Sequence, residues 1–262
     1  MRYEILGPVR AVAGDVVVDV GPAKMRLLLT ALLVEAGRTV SAPQLVAELW
    51  GDRPPRRAAA ALHVYISQSR KLLAALPASG APDGGCGMPL VTRSPGYAFQ
   101  LAGARLDAHE FQTLMAEGRA SSRAGHHERA SRAFRRAADL WRGPWVGDLA
   151  EGPLISTFAT WADEARLECA EMLMEAHLAC GRHREIIAPL RTLVAQHPLR
   201  EAFHRLLMLA LYRSERQGDA LMAYQDARIS LKRALGVEPG RSLRQVQQQI
   251  ICADRCLDLS AT

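Results

Sequence analysis

The twelve residues LVTRSPGYAFQL, Leu90 to Leu101, carry the pattern on which the reading of the chain turns. Leu90 to Thr92 is a short β-prone run, Arg93-Ser94-Pro95-Gly96 is a turn, and Tyr97, Phe99 and Leu101 alternate on a return strand. What this hairpin means depends on what precedes it. Pro77 to Met88 is rich in Gly, Pro and Ala and reads as a mobile connection. Before it, a helix from about Arg57 to Leu76 has Leu62, Ile66 and Leu73 on its inner face. Gly51-Asp52-Arg53-Pro54-Pro55 is a loop, preceded by a helix through Leu45, Leu49 and Trp50 that Ser41 is suited to cap. Thr39 and Val40 suit a brief strand, and Lys24 to Glu35 is an apolar helix stopped by Gly37. The first twenty residues read as short strands. Tyr3, Ile5, Val9 and Val12 lie near the turn signals Gly7-Pro8 and Gly14-Asp15, and Val16 to Val20 is β-branched.

Sheet, three helices, hairpin is the order of a winged helix-turn-helix, here with an extra N-terminal β-sheet. From about Leu106 onward strand signals vanish. CGRHREII (Cys180–Ile187) and SERQGDAL (Ser214–Leu221) stand 34 residues apart and share small or polar turn residues, a basic residue and an apolar helix face. AGHHERAS (Ala124–Ser131) is a third copy, 56 residues before the second, and the stretch Gly143 to Pro153 is expected to account for most of the extra length. A 34-residue helix-turn-helix period is that of tetratricopeptide repeats, which bury their faces by stacking. The expected fold class is therefore an α+β winged helix-turn-helix domain over residues 1–106, then an all-α tetratricopeptide-like domain over 107–255, with 256–262 as a tail.

Composition limits what such a chain can do. It has 262 residues with 33 Lys and Arg against 27 Asp and Glu, a formal charge of +6. Residues 1–106 hold twelve basic and seven acidic side chains, so nearly all of the excess falls in the N-terminal part, as expected of a surface that meets a polyanion. No apolar run approaches the ~20 residues of a membrane span, and MRYEILGPVR lacks the features of a signal peptide, so a cytoplasmic protein is expected. Five cysteines without metal-type spacing (Cys86, Cys169, Cys180, Cys252, Cys256) suggest buried or half-buried thiols, the last two sharing one helix face.

A recognition helix must bury one stripe and offer polar side chains to the major groove. In LHVYISQSRKLL (Leu62–Leu73), His63, Ser67, Gln68 and Arg70 lie opposite the apolar stripe, with Lys71 beside them. Gln68 can pair bidentately with adenine, and His63 and Ser67 can reach base edges or phosphates. Arg70 and Lys71 suit phosphates, Arg56 and Arg57 can grip the backbone where loop becomes helix, and Arg93 is placed as a wing tip for a minor groove. The alternative is an ordinary solvated surface helix.

Several segments together resemble the Streptomyces antibiotic regulatory protein (SARP) family, bacterial activators that join an OmpR-type winged helix to a bacterial transcriptional activation domain. They are ELWGDRPPRRA (Glu48–Ala58), YISQSRKLL (Tyr65–Leu73), SPGYAFQL (Ser94–Leu101), LDAHEF (Leu106–Phe111), ADLWRGP (Ala138–Pro144), HPLREAF (His197–Phe203) and ALYRSERQGDALMAYQ…LGVEPG (Ala210–Gly240). The resemblance covers residues 2 to about 252 and is to the small, two-domain members. It implies binding to direct heptanucleotide repeats near promoters, usually as a homodimer on double-stranded DNA. It further implies contact with RNA polymerase holoenzyme, through the sigma factor and the alpha subunit, and activation of a secondary-metabolite gene cluster. The loop at Gly51, Asp52 and Arg53 is the implied polymerase contact. This chain departs from the family pattern in Gln68 and Ser69, where S-R-L-R-K is usual, and in Glu215, where many relatives carry glycine. Ser69 stands where a core leucine is expected.

No GxxxxGK[ST], GxSxG, HExxH or CxxC signature occurs, so no enzyme, cofactor or metal site is expected. His126-His127 reads as a solvated turn, and Trp141, Trp145 and Trp161 as packing anchors. The readings set beside an activator are a repressor using the same DNA contacts and a repeat-type interaction scaffold with weakened DNA binding.

Overall fold

The computed structural model of the chain describes residues 1–76, 88–143 and 152–257. The connection at Pro77–Gly87, Cys86 within it, and Trp145 lie outside the described residues. The chain starts as an antiparallel meander of β1 (Arg2–Glu4), β2 (Arg10–Ala13) and β3 (Val16–Asp19). Ile5 and Val9, expected in strands, lie just outside them, although both are buried. The backbone N–H of Ile5 and of Leu6 donate to the Asp107 carboxylate at 2.8–2.9 Å, so the ladder gives way here to a side-chain acceptor.

Three helices and a three-stranded sheet follow. α1 (Ala23–Val34) is buried on most sides, with Leu27 to Leu33 wholly within the core. After β4 (Thr39–Ser41), Ser41 caps α2 (Ala42–Trp50) as expected. Its hydroxyl accepts from the Gln44 N–H at 3.4 Å while the Gln44 side chain accepts from the Ser41 N–H at 3.0 Å, a reciprocal capping box. α3 (Ala58–Ala74) buries Leu62, Ile66 and Leu73, the predicted stripe, and also Ser69. The hairpin of β5 (Leu90–Arg93) and β6 (Gly96–Phe99) joins β4 in the order β4-β6-β5. The expected alternation on β6 does not hold. Ala98 is as buried as Tyr97 and Phe99, because a central strand covered on both faces has no solvent side. Gly96 is fixed by space, since a Cβ there would lie 2.0 Å from the Val40 carbonyl oxygen.

The sequence carried no signal for β7 (Arg105–Leu106), two residues that pair in parallel with β1 and complete a β3-β2-β1-β7 sheet. The remaining elements are helical: α4 (Asp107–Arg123), α5 (His127–Asp139), α6 (Pro153–Ala179), α7 (Ile187–Gln196), α8 (Glu201–Tyr212), α9 (Gln217–Leu235), α10 (Arg241–Ile251) and a closing 3₁₀ turn at Arg255–Leu257.

The chain packs as two compact units. Met1–Leu114 with Arg136–Arg166 form the first, and Met115–Arg135 with Leu167–Thr262 the second. The first unit thus draws on residues beyond position 106. Its core includes an aromatic cluster in which Trp141 and Trp161 meet Phe111 edge-on at 5.3 and 6.1 Å.

In the second unit the three repeat segments occupy the turns α4–α5, α6–α7 and α8–α9, and the turns are alike in detail. His126, Arg182 and Arg216 each donate their backbone N–H to the carbonyl five residues earlier (Ser121, His177, Leu211), at 2.9–3.0 Å. The residue before each has positive φ: Gly125 at 77°, Gly181 at 75° and Glu215 at 64°. These are Schellman endings, whose left-handed position favours glycine. The longer first interval is mostly helix, because α6 has 27 residues and α8 has 12. Most of the Gly143–Pro153 stretch, residues 144–151, lies outside the described residues.

The cysteines differ from expectation at the C-terminus. Cys169 is buried and Cys180 half-buried, but Cys252 and Cys256 are exposed. They do not share a helix, because α10 ends at Ile251 and Ala253 has φ 48°. No described helix is long and apolar enough to cross a membrane.

Candidate nucleic-acid interface

α3 is held by its buried stripe, and an α-helix advances 100° per residue, so the opposite face is fixed as soon as that stripe is buried. His63, Val64, Ser67, Gln68 and Lys71 are all exposed on that face. Four of these five were anticipated from sequence. Val64, 54% exposed, was not, because an aliphatic residue reads by default as core.

Two of the candidate residues are engaged within the protein. Arg70 lies at the edge of the face, with its Nε donating to the Leu90 carbonyl and an Nη to the Thr92 hydroxyl, both at 2.9 Å. His63 Nδ1 is 2.9 Å from the Tyr97 hydroxyl, and the two rings stand near-perpendicular. Each contact ties α3 to one strand of the hairpin, so helix and wing are held as one rigid surface. Ser69 is wholly buried and its hydroxyl has no hydrogen-bond partner. It occupies the core position that the family motif assigns to leucine.

Arg93 is exposed at the end of β5, beside the exposed Ser94-Pro95 tip. Arg56 and Arg57 are exposed in the turn that opens α3, and the Arg57 carbonyl accepts from the Ala61 N–H. The structure therefore brings Arg56, Arg57, His63, Ser67, Gln68, Arg70, Lys71 and Arg93 onto one helix, its leading turn and the adjacent hairpin. Gly51, Asp52 and Arg53 stand apart in the α2–α3 loop. Gly51 is half-buried with φ 55°, while Asp52 and Arg53 are exposed.

Three buried acids hold the first unit together around this surface, and none was singled out from sequence. The Glu48 carboxylate, on α2 one turn before the loop, accepts from the backbone N–H of Leu154 at 2.8 Å and of Ile155 at 3.1 Å. It caps α6, where the helix dipole also favours a negative charge. Gly152 is needed beside it, since a Cβ there would fall 2.4 Å from Glu48. Glu4 is buried among Arg2, Arg10 and Arg142, the last at 3.0 Å. Arg142 also lies 3.6 Å from Asp107. Burial pushes the Asp107 carboxyl up from its usual range, opposed by the Ile5 and Leu6 N–H groups and by Arg142. Burial likewise lowers the Arg142 guanidinium.

A helix-turn-helix with a rigidly attached wing, followed by Schellman-ended helix pairs, defines a winged-helix transcription regulator with a helical second part. The family models agree. "Transcriptional regulatory protein, C terminal" matches residues 17–81, and "Bacterial transcriptional activator domain" matches 106–251. The chain belongs to the Streptomyces antibiotic regulatory protein family. It is 40% identical to regulatory protein AfsR of Streptomyces coelicolor, over all of this chain but only 25% of AfsR. It is 36% identical to regulatory protein DnrI of Streptomyces peucetius, covering 98% of this chain and 94% of DnrI. The solved structure of Mycobacterium tuberculosis EmbR, in complex with a low-affinity phosphopeptide, superposes with a TM-score of 0.87 at 33% identity, over 96% of this chain and 65% of EmbR.

Proposed function

We propose that the protein is a sequence-specific, DNA-binding transcriptional activator that docks on promoter direct repeats as a homodimer and recruits RNA polymerase. The observation that carries this reading is the outward face of α3, with His63, Ser67, Gln68 and Lys71 exposed together beside a hairpin ending at Arg93. α3 enters the major groove and Arg93 an adjacent minor groove. Lys71, Arg56 and Arg57 neutralise phosphates, with Arg70 at the rim. The exposed loop at Asp52 and Arg53, with Gly51 as its bend, meets the sigma factor, and the helical second part adds a contact to the alpha subunit. Such a protein works at the chromosome in the cytoplasm, on a secondary-metabolite gene cluster. An exposed loop next to the groove-facing helix favours activation over simple repression, for which DNA contacts suffice.

Footprinting on the promoters that neighbour its own gene tests the DNA half. Protection of two repeats about one helical turn apart is expected. Run-off transcription with purified holoenzyme tests the other half. Increased transcript is expected, while footprints without increase would mean a repressor. Absence of any salt-sensitive DNA binding would mean a scaffold.

A further inference from the structure

The first two turns of α3 are poor in hydrogen-bonding side chains. They read Ala58-Ala59-Ala60-Ala61-Leu62-His63-Val64-Tyr65, and of these Leu62 is core. Tyr65 is half-buried, its ring 6.2 Å from Trp50, and His63 is held at Nδ1 by Tyr97. What this half of the helix turns outward is Ala59, Ala60, the 54%-exposed Val64 and, at the flank, His63 with its Nδ1 already taken by Tyr97. Ala60, Val64, Ser67 and Lys71 fall within an arc of about 60°, opposite the buried stripe. They form the ridge that goes deepest into any groove the helix enters. On that ridge the polar side chains, Ser67 and Lys71, lie in the carboxy-terminal half, with Gln68 at its flank and His63 flanking the first half.

The amino-terminal end of a recognition helix is the part that meets base edges. An aliphatic side chain there has one specific partner in the major groove, the 5-methyl group of thymine; the other bases present only donors and acceptors, which an apolar group would leave unpaired. We infer that Val64, with Ala60 one turn before it, reads thymine methyl groups, so that the target carries thymine under the first half of α3. Gln68, one turn beyond Val64, addresses the neighbouring base pairs. This inference rests on the DNA-binding reading and adds the base chemistry that the helix selects.

The test uses the full chain and a duplex selected from a random-sequence library. That duplex is resynthesised with each thymine replaced in turn by deoxyuridine, which lacks only the methyl group. At one or two positions in each repeat the replacement should weaken binding roughly fourfold, the worth of one buried methyl. In Val64→Ala and Val64→Ser, both at an exposed helix position and checked for folding by circular dichroism, the penalty at one of those positions should fall below about twofold. The inference is overturned if no replacement changes affinity, or if the penalties are the same in the variants. Failure to select any duplex would overturn the DNA-binding reading itself, and this inference with it.

Discussion

Glu48 and Leu154, 106 residues apart in sequence, are joined by a 2.8 Å hydrogen bond in which the α2 carboxylate accepts from the first backbone N–H groups of α6. A buried acceptor serving two donors has no neutral substitute of the same shape. Glu48→Gln keeps one acceptor and turns an NH₂ toward a backbone N–H. Loss of about 2 kcal/mol in urea-induced unfolding is expected, with no change in the circular-dichroism spectrum of the folded protein.

The hydroxyl of Ser69 presents the opposite case. It is buried without a partner, so Ser69→Ala removes an unsatisfied polar group and leaves only a small void. The unfolding free energy should rise by about 1 kcal/mol, and DNA affinity should not change, because the side chain points away from the outward face.

Glu215 holds the left-handed position that glycine holds in the two preceding turns. Glu215→Gly relieves strain of about 1 kcal/mol and should raise the melting temperature by about 2–4 °C. Gly181→Ala should lower it by a similar amount. Equal and opposite shifts would show that the three turns are equivalent in energy as well as in geometry.

Arg70 and Lys71 are adjacent yet predicted to behave differently. Lys71→Ala should reduce the slope of log K against log salt by about one unit and leave stability intact. Arg70→Ala should also lower stability, because it releases the hairpin from α3 at Leu90 and Thr92. Gln68→Ala should alter preference among sites without changing the slope. Salt titrations by gel shift, with unfolding curves on the same preparations, separate the three.

His177 gives the second unit a pH dependence. Burial lowers its pKa, and the nearby Arg135 and Arg182 lower it further, against weaker opposition from Glu185 and Glu128. A depressed pKa means that the folded state resists protonation. The stability it contributes is present above the unfolded value near 6.5 and is lost as the pH falls through the lower folded value. Melting temperature should therefore drop below pH 6.5, and less steeply in His177→Gln.

Much of this architecture was legible because its signals are local. Ser41 and Gln44 mark a helix start within four residues, the 90–101 run marks a hairpin, and the 34-residue recurrence marks repeated turns. The outward face of α3 was legible for the same reason, since burying Leu62, Ile66 and Leu73 dictates what faces out. The supports of the site left no such trace. Glu48 with Leu154, and Asp107 with Ile5, are side-chain-to-backbone contacts across more than a hundred residues, and a backbone N–H has no sequence identity. β7 is two residues long, below any periodic signal. Arg70 reads from sequence as a phosphate contact, and its tie to the hairpin, across twenty residues, left no trace there. Val64 was missed because exposure of a single valine is a property of its neighbours.

The interleaving of the first unit bears on how such proteins can be recombined. A chimaera cut at 106/107, giving one relative's winged helix to another's helical part, separates Glu48 from the helix end it caps and Glu4 from Arg142. The exchangeable module is therefore residues 1–114 with 136–166, which no single crossover can transfer. Replacing the outward side chains of α3, by contrast, leaves every one of these buried contacts in place. Variation on that one helix face is therefore easier for this chain to accommodate than exchange of the whole segment before residue 107.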